Sequence, residues 1–576
     1  MPRRGGRVHI AETRRHYKGK EYKAALLRRS YREGGKVKNE TVGNLSHLED
    51  WMIDGLRSML AGKKLVDLDD DFEIVRSLPH GHVAVVLGVL RQLDVERLFC
   101  RERCRERDLV VAMVCQVVID SGSKLSMTRR FGQTTLGEEL ALGEVSEAEL
   151  LGAMDWVLGR QERIERTLAG RHLEPGSFVL YDLSSSYVEG RCCELAELGH
   201  NRDGKRGKPQ VNWGLICSPE GRPVAVQVHP GSTSDPTTLP GVLDALRVRF
   251  GIERVILVGD RAMITDAHAQ RLKELGAGFV SALKTAQIRK LMNTGDLQLT
   301  LFDETNLAEI ASEEFPGERL IVCRNPHLAA DRARTREDLL RSTERELDKV
   351  CQMVSGPRGS LKNADPGKIG QRVGRVVNKY KVAKHFELEI ADGHFTHQRK
   401  TEQIEAEAAL DGIYVLRTTC PKDALTTQAV VRVYKQLKMA ERAYRTIKDA
   451  LDVRPIRHHL KERVEAHFFL FLLAYYTLFE LQARLAPMLY TDETPLTPAD
   501  PVAPARRSHA AKRKDQSHRT ADGHPAHSLE DLIKDLGTLC RNTIRIGKSP
   551  YTYTRLTTPT ELQANALQLI GVKPAK

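Results

Sequence analysis

No stretch of this sequence is apolar for long enough to cross a bilayer. The longest such run, FFLFLLAYYTLF at Phe468–Phe479, falls short of the roughly 20 residues a span needs and predicts a buried core helix. No apolar segment follows the basic N-terminus, so a signal peptide is not expected and a cytoplasmic protein is. Zinc-type cysteine spacing is missing as well. Of the ten cysteines only Cys100/Cys104 and Cys192/Cys193 lie close together, and neither pair has the separation of a zinc site. Reduced, mostly structural thiols are the expectation. There is no internal repeat. What remains is the profile of a soluble globular protein, 41% apolar and 29% charged, in a chain of 576 residues that is too long for one core and predicts three or four domains.

Positive charge is in excess, and unevenly placed. The net charge is +13, and residues 1–48 alone hold 13 Lys/Arg against 4 Asp/Glu. Such a concentration suits contact with a polyanion, most naturally nucleic acid. The segment also carries Tyr17, Tyr22, Leu26, Leu27 and Tyr31, then Gly34-Gly35 and KVKNETV. This predicts two short strands around a turn, a small folded module and not a solvated tail.

Composition and periodicity divide the chain further. Residues 1–60 are expected to form the basic module and 61–172 a helical domain, in which HVAVVLGVLRQL and DLVVAMVCQVVIDSG carry helical apolar spacing or are apolar all round. At Ser177 the period changes. SFVLYDL, QVNWGLICS and RPVAVQVHP read as strands, followed by a helix, the aliphatic strand RVILVGD, a second helix and the strand GFVSALK. That β-β-β-α-β-α-β order over 173–284 predicts a mixed sheet with helices on its faces. Residues 285–430 read as a mainly β insertion, 431–490 as returning helices, 491–527 as a disordered linker rich in Pro, His and basic residues, and 528–576 as a C-terminal tail.

Two carboxylates stand where α/β sheets gather functional groups, at strand C-termini. Asp182 ends FVLYD and Asp260 ends VILVGD. If the strands are parallel neighbours the two acids meet, and they repel unless a cation neutralises them; hard oxygen ligands favour Mg²⁺ or Mn²⁺. A third acid comes from YKQLKMAERAYRTIKDAL, Tyr434–Leu451. At 100° per residue Leu437, Ala440, Tyr444, Ile447 and Leu451 form one stripe, with Glu441 and Lys448 at its edge and Tyr434 beside them. Spacing alone leaves two roles open for Glu441: reaching the sheet edge, or an i, i+4 pair with Arg445.

These segments together resemble the DDE transposases of bacterial insertion sequences, in the IS-four-like branch with a Tyr-x2-Arg-x3-Glu-x6-Lys signature. Here it reads Tyr434, Leu437, Glu441, Lys448; YDLSSSYVEG resembles the first-Asp region and VGDRAMIT the second. The resemblance implies an RNase H-like core and a catalytic set of Asp182, Asp260 and Glu441 holding two Mg²⁺ or Mn²⁺ ions about 3.5–4 Å apart. It further implies end cleavage and strand transfer, double-stranded transposon-end and target DNA as partners, a homodimer in the DNA complex, and residence on the nucleoid when bound. Tyr434 and Lys448 are then expected to contact phosphates. Lys205, Arg206 and Lys208 are further phosphate contacts or an ordinary exposed turn, and Arg261 contacts DNA or pairs with a core acid. Two departures stand out. Leu437 replaces the signature Arg, removing a phosphate contact, and Ala262 replaces the glycine of the usual DRG, at a place where positive φ would suit glycine. Two other readings share the same motifs: an RNase H-fold nuclease or resolvase that does not join strands, and an inactive transposase-derived DNA-binding protein.

Overall fold

The computed structural model describes the chain apart from residues 1–6, 18–19, 64–71, 191, 253–254, 299–301, 303–305, 362–363, 547–550 and 574–576. It divides into two units. The first comprises residues 1–78, 539–558 and 574–576, the second 79–538 and 559–573.

The first unit departs from the expected pair of short strands. Arg7–Tyr17, Lys20–Glu33 and Lys36–Asn44 form a three-stranded antiparallel meander. Gly34 and Gly35 turn the second hairpin with φ of +57° and +75°, the left-handed pair a tight hairpin turn demands. A helix, Asp50–Leu60, follows, and its Arg57 pairs with Glu12 of the meander. A second sheet in this unit joins Phe72–Pro79 to Cys540–Ile546 and Thr552–Leu556. A strand inside the stretch read as helical thus pairs with the distant C-terminal segment, a partner that local periodicity cannot announce.

In the second unit the helices read from the sequence are present: Gly81–Gln92, Arg105–Ile119, Glu147–Leu158 and Gln161–His172. The central sheet has eight strands, numbered here in chain order: β1 Phe178–Tyr187, β2 Gln210–Cys217, β3 Pro223–Pro230, β4 Ile256–Val258, β5 Gly278–Ala282, β6 Leu307–Ile310, β7 Arg319–Arg324 and β8 Ile413–Thr418. Their order across the sheet is β6-β7-β8-β5-β4-β1-β2-β3. β1, β4 and β5 are mutually parallel, and every other pairing is antiparallel. The apolar run at Phe468–Phe479 lies in the helix Lys461–Leu485, whose residues from Ala466 to Leu478 are all buried. It packs against β3 and the helices Arg105–Ile119 and Glu147–Leu158, which accounts for its being apolar all round.

Two expectations are corrected. The insertion is not mainly β. Between β7 and β8 lie helices Pro326–Ser355, Pro366–Tyr380 and Thr401–Ala408, against a single hairpin of Phe386–Ala391 and His394–Arg399. The Gly- and Lys-rich stretch hides a helix start. Asp365 caps it, accepting from Lys368 N at 3.1 Å, Pro366 occupies the first turn, and Ile369, Val373, Val376 and Val377 carry the helical spacing. β6, β7 and β8 extend the central sheet and do not build a sheet of their own. The segment 491–527 is also not disordered. His509–Ser517 is a helix, Val502 is fully buried, and Lys514 donates to the carbonyls of Leu489 at 2.8 Å and Ala486 at 3.4 Å. Its polar groups find partners inside the fold, which composition does not reveal.

Candidate active site

Asp182 does not end its strand, as the sequence suggested; β1 runs five residues further, paired with β2. What ends near Asp182 is the pairing with β4, whose register sets Leu180 opposite Val258. Carrying that register two residues on brings Asp182 level with Asp260, in the loop just after β4. Both fall on the same side because side chains alternate along a strand. Burial, then the Asp260 carboxylate and other nearby charges, push the Asp182 carboxyl up to about 6, against a bond from Leu183 N at 2.9 Å that favours its ionised form.

The third acid arrives on a broken helix. The expected continuous helix is two, Thr427–Lys435 and Leu437–Arg445, followed by a π turn at Thr446–Ala450. Tyr444, one turn beyond Glu441, fastens it to the sheet. Its hydroxyl accepts from Leu215 N at 2.7 Å and donates to the Asp182 carbonyl. Leu215 and Asp182 are register partners across β2 and β1, so the tyrosine grips the backbone of the very residue whose side chain faces the cleft. Trp213 stacks at 4.8 Å from Tyr444 and 5.0 Å from Phe468, and its indole donates to Ser186 at 3.0 Å. On the opposite face of β1 Tyr181 lies so close to Gly214 that a Cβ there would overlap its ring, 2.6 Å from Cε2.

Asp182, Asp260 and Glu441 line one cleft of about 870 Å³, with Tyr434, Lys435 and Lys438. Glu441 is exposed and, among the described residues, forms no ion pair with Arg445. Tyr434 is pushed up to about 12, first by burial and then by Asp260, Glu441 and Asp182, with Arg261 opposing. The donor set is all hard oxygen, and the Asp182–Asp260 repulsion is what a divalent cation relieves. Among the described residues, however, no three carboxylate, His or Cys side chains stand together as a closed metal-ligand group.

The remaining predicted residues fall in two places. Arg261 is exposed beside Asp260 and lines a smaller cavity with Tyr434 and Arg332. Lys205, Arg206 and Lys208 are exposed in the β1–β2 loop, where Lys205 and Lys208 lie 5.8 and 5.3 Å from the Tyr187 ring and Lys208 pairs with Glu189 at 3.1 Å. Lys448 is not in the cleft lining. It is buried and donates to Asp203 at 2.7 Å, an acid that also binds Arg454 and accepts from Tyr187 N at 3.1 Å. Of the two departures, Leu437 is buried under its helix and contributes to the cleft wall, and Ala262 has no left-handed φ, so alanine is not strained there. Sequence reasoning missed Tyr444 as an anchor, although it sits in the apolar stripe. It also missed the wall formed by Pro495–Ala505, to which Lys435 donates at the Val502 and Ala503 carbonyls, 2.9 and 2.8 Å.

A β-β-β-α-β-α-β sheet that brings two aspartates into register, with a glutamate delivered by a later helix, is the arrangement of a phosphoryl-transfer enzyme of the DDE class. Residues 176–477 match the Transposase DDE domain model, and the chain belongs to the DDE transposases of insertion sequences. Residues 10–67 match the N-terminal domain of IS1634 family transposases, a specific branch. Its activity is metal-dependent DNA cleavage and strand transfer. No curated protein matches the chain. Among solved structures it is similar to a piggyBac transposase synaptic complex with hairpin DNA, at 9% identity over 81% of each chain and a TM-score of 0.35.

Proposed function

We propose that Asp182, Asp260 and Glu441 are the catalytic carboxylates of this transposase, set in an RNase H-like core formed by β1–β5 and the Glu441 helix. The supporting observation is the pair of constraints on them: the β1/β4 register that levels Asp182 with Asp260, and the Tyr444 bridge that ties the Glu441 helix to Asp182's own carbonyl. Two divalent cations, Mg²⁺ or Mn²⁺, would be held by these acids and would supply the Lewis acidity for in-line phosphoryl displacement. Glu441, exposed and unpaired, closes onto the aspartates when DNA enters. Tyr434, whose phenol stays protonated through the physiological range, donates to a phosphate oxygen, and Arg261 and Lys438 supply positive charge along the strand. Lys448 acts at one remove: with Arg454 it clamps Asp203, which orders the loop presenting Lys205, Arg206 and Lys208 to the DNA backbone. The same three acids serve hydrolysis at the element's end and attack on target DNA, so no covalent protein–DNA bond is needed.

The basic first unit recognises the terminal inverted repeats, and a homodimer holds two ends together. The test is a cleavage and strand-transfer assay on DNA carrying the ends. Asp182→Asn, Asp260→Asn and Glu441→Gln each lower cleavage by about three orders of magnitude, ~4 kcal/mol in barrier, while end binding persists. Full activity of any one variant would remove that residue from the set.

A further inference from the structure

Beyond the far end of β1 lies a second cavity, about 560 Å³, roofed by the segment Arg454–His459 and floored by the core helix at His467 and Phe471. Main-chain bonds tie this roof to β1: Glu189 N donates to the Ile456 carbonyl at 2.8 Å and Ile456 N to that of Tyr187 at 3.1 Å. At its base is Lys124, only 6% exposed. Among the described residues its ammonium has no carboxylate or carbonyl partner, and it faces the Phe471 ring from 5.9 Å. Burial pulls the ammonium down to about 8, so it remains mostly charged at neutral pH. An unpaired buried ammonium is costly to keep.

The neighbouring groups are equally short of partners. Arg463 Nε is buried with none, and so is His467 Nδ1. Each of the arginines at the wall already has an acid elsewhere: Arg454 has Asp203 and Asp449, Arg457 has Glu189 at 3.5 Å, and Arg463 has Asp155 at 3.7 Å. Two carboxylates, Glu147 and Asp452, also line the cavity, and neither reaches Lys124. The His467 ring has a defined polarity. Its Nε2 lies 2.9 Å from the Val453 carbonyl and therefore carries the proton. Nδ1 is left as a buried acceptor without a donor. The cavity thus offers two donors lacking an acceptor and one acceptor lacking a donor.

We propose that this cavity binds a phosphomonoester, with Lys124 and Arg463 holding its anionic oxygens and His467 Nδ1 accepting from its P–OH. A phosphodiester has no such proton to give, so an internal DNA phosphate meets only half of the site. The chemistry is shared by free hydrogen phosphate and by the 5′-phosphate of a DNA strand. The DNA source rests on the cleft carrying out strand cleavage, and the phosphate site itself does not.

The test uses the full chain without divalent metal, titrated with inorganic phosphate by calorimetry, alongside Lys124→Met. Wild type binds saturably and Lys124→Met binds at least about tenfold more weakly, the loss expected for one charge-assisted hydrogen bond. The variant removes an unpaired buried charge, so without phosphate it melts no lower than wild type, which separates lost binding from lost folding. Absence of phosphate binding by wild type, or equal binding by both proteins, overturns the proposal. Matched oligonucleotides with a 5′-phosphate or a 5′-hydroxyl then separate the sources. A preference for the 5′-phosphate that disappears in Lys124→Met assigns the site to a DNA end. Phosphate binding without that preference assigns it to the free ion. Neither readout requires cleavage, so an inactive catalytic triad leaves both intact.

Discussion

Replacing Asp182 by asparagine should make the metal-free protein more stable at the pH at which it makes it inactive. Burial and the neighbouring Asp260 raise the Asp182 carboxyl from 3.8 to about 6 in the folded chain. A raised carboxyl means the native state binds the proton more tightly than the unfolded state does. Below about pH 4 the group is protonated in both states and has no effect. Between about 4 and 6 the folded state loses ground, and above about 6 the full penalty stands. A difference of about two pH units corresponds to ~3 kcal/mol, at 1.36 kcal/mol per unit. The asparagine carries no charge, so the variant escapes the penalty. In EDTA at pH 8 its core should melt a few degrees above wild type, and near pH 4 the two should coincide. Mg²⁺ should narrow the gap at pH 8 by stabilising wild type more than the variant. The assay is differential scanning calorimetry at the two pH values with and without metal. An Asp182→Asn protein that melts with or below wild type at pH 8 in EDTA would refute the claim that two carboxylates crowd each other there.

Other outcomes follow from the same geometry. Tyr444→Phe deletes the bridge between Leu215 N and the Asp182 carbonyl, so it should destabilise the core by about 1–3 kcal/mol and slow cleavage while leaving end binding unchanged. Denaturant melts and single-turnover cleavage check this. Gly214→Ala forces a Cβ to 2.6 Å from Cε2 of the Tyr181 ring and should cost about 1–3 kcal/mol, as overpacking of a filled core does, read as a lowered melting temperature. Lys435→Ala removes two bonds to the Val502–Ala503 carbonyls, and hydrogen exchange at residues 502–505 should quicken. Deleting residues 1–48 should abolish end binding and its salt dependence, where log K falls by about 0.9 per phosphate contact; unchanged binding would move end recognition to another part of the chain.

The central sheet was legible because its signal is local. Aliphatic runs such as Val255–Val258 are buried on both faces and read as strands wherever they occur. The spacing of Tyr434, Glu441 and Lys448 also survives in one dimension, since a helix converts spacing into a shared face. What misled were features satisfied from a distance. The stretch at 491–527 resembles a linker until Lys514 meets the carbonyls that end the core helix. The strand Phe72–Pro79 has no local reason to be extended and finds its partner near the other end of the chain, at Cys540–Ile546. Lys448 keeps its signature spacing, yet its ammonium is taken by Asp203.

The sequence by itself determined which residues can do the chemistry: two aspartates associated with aliphatic strands, a glutamate at the border of an apolar helical stripe, and a basic amino-terminal module. These follow from side-chain type and periodicity, which are properties of neighbours along the chain. Only the tertiary structure decided how they meet. The β1/β4 register levels Asp182 with Asp260, Tyr444 fixes the Glu441 helix against that strand, and the proline-bearing segment walls the cleft. Each of these depends on hydrogen bonds and packing between segments far apart in sequence, and such pairings are selected by the whole fold.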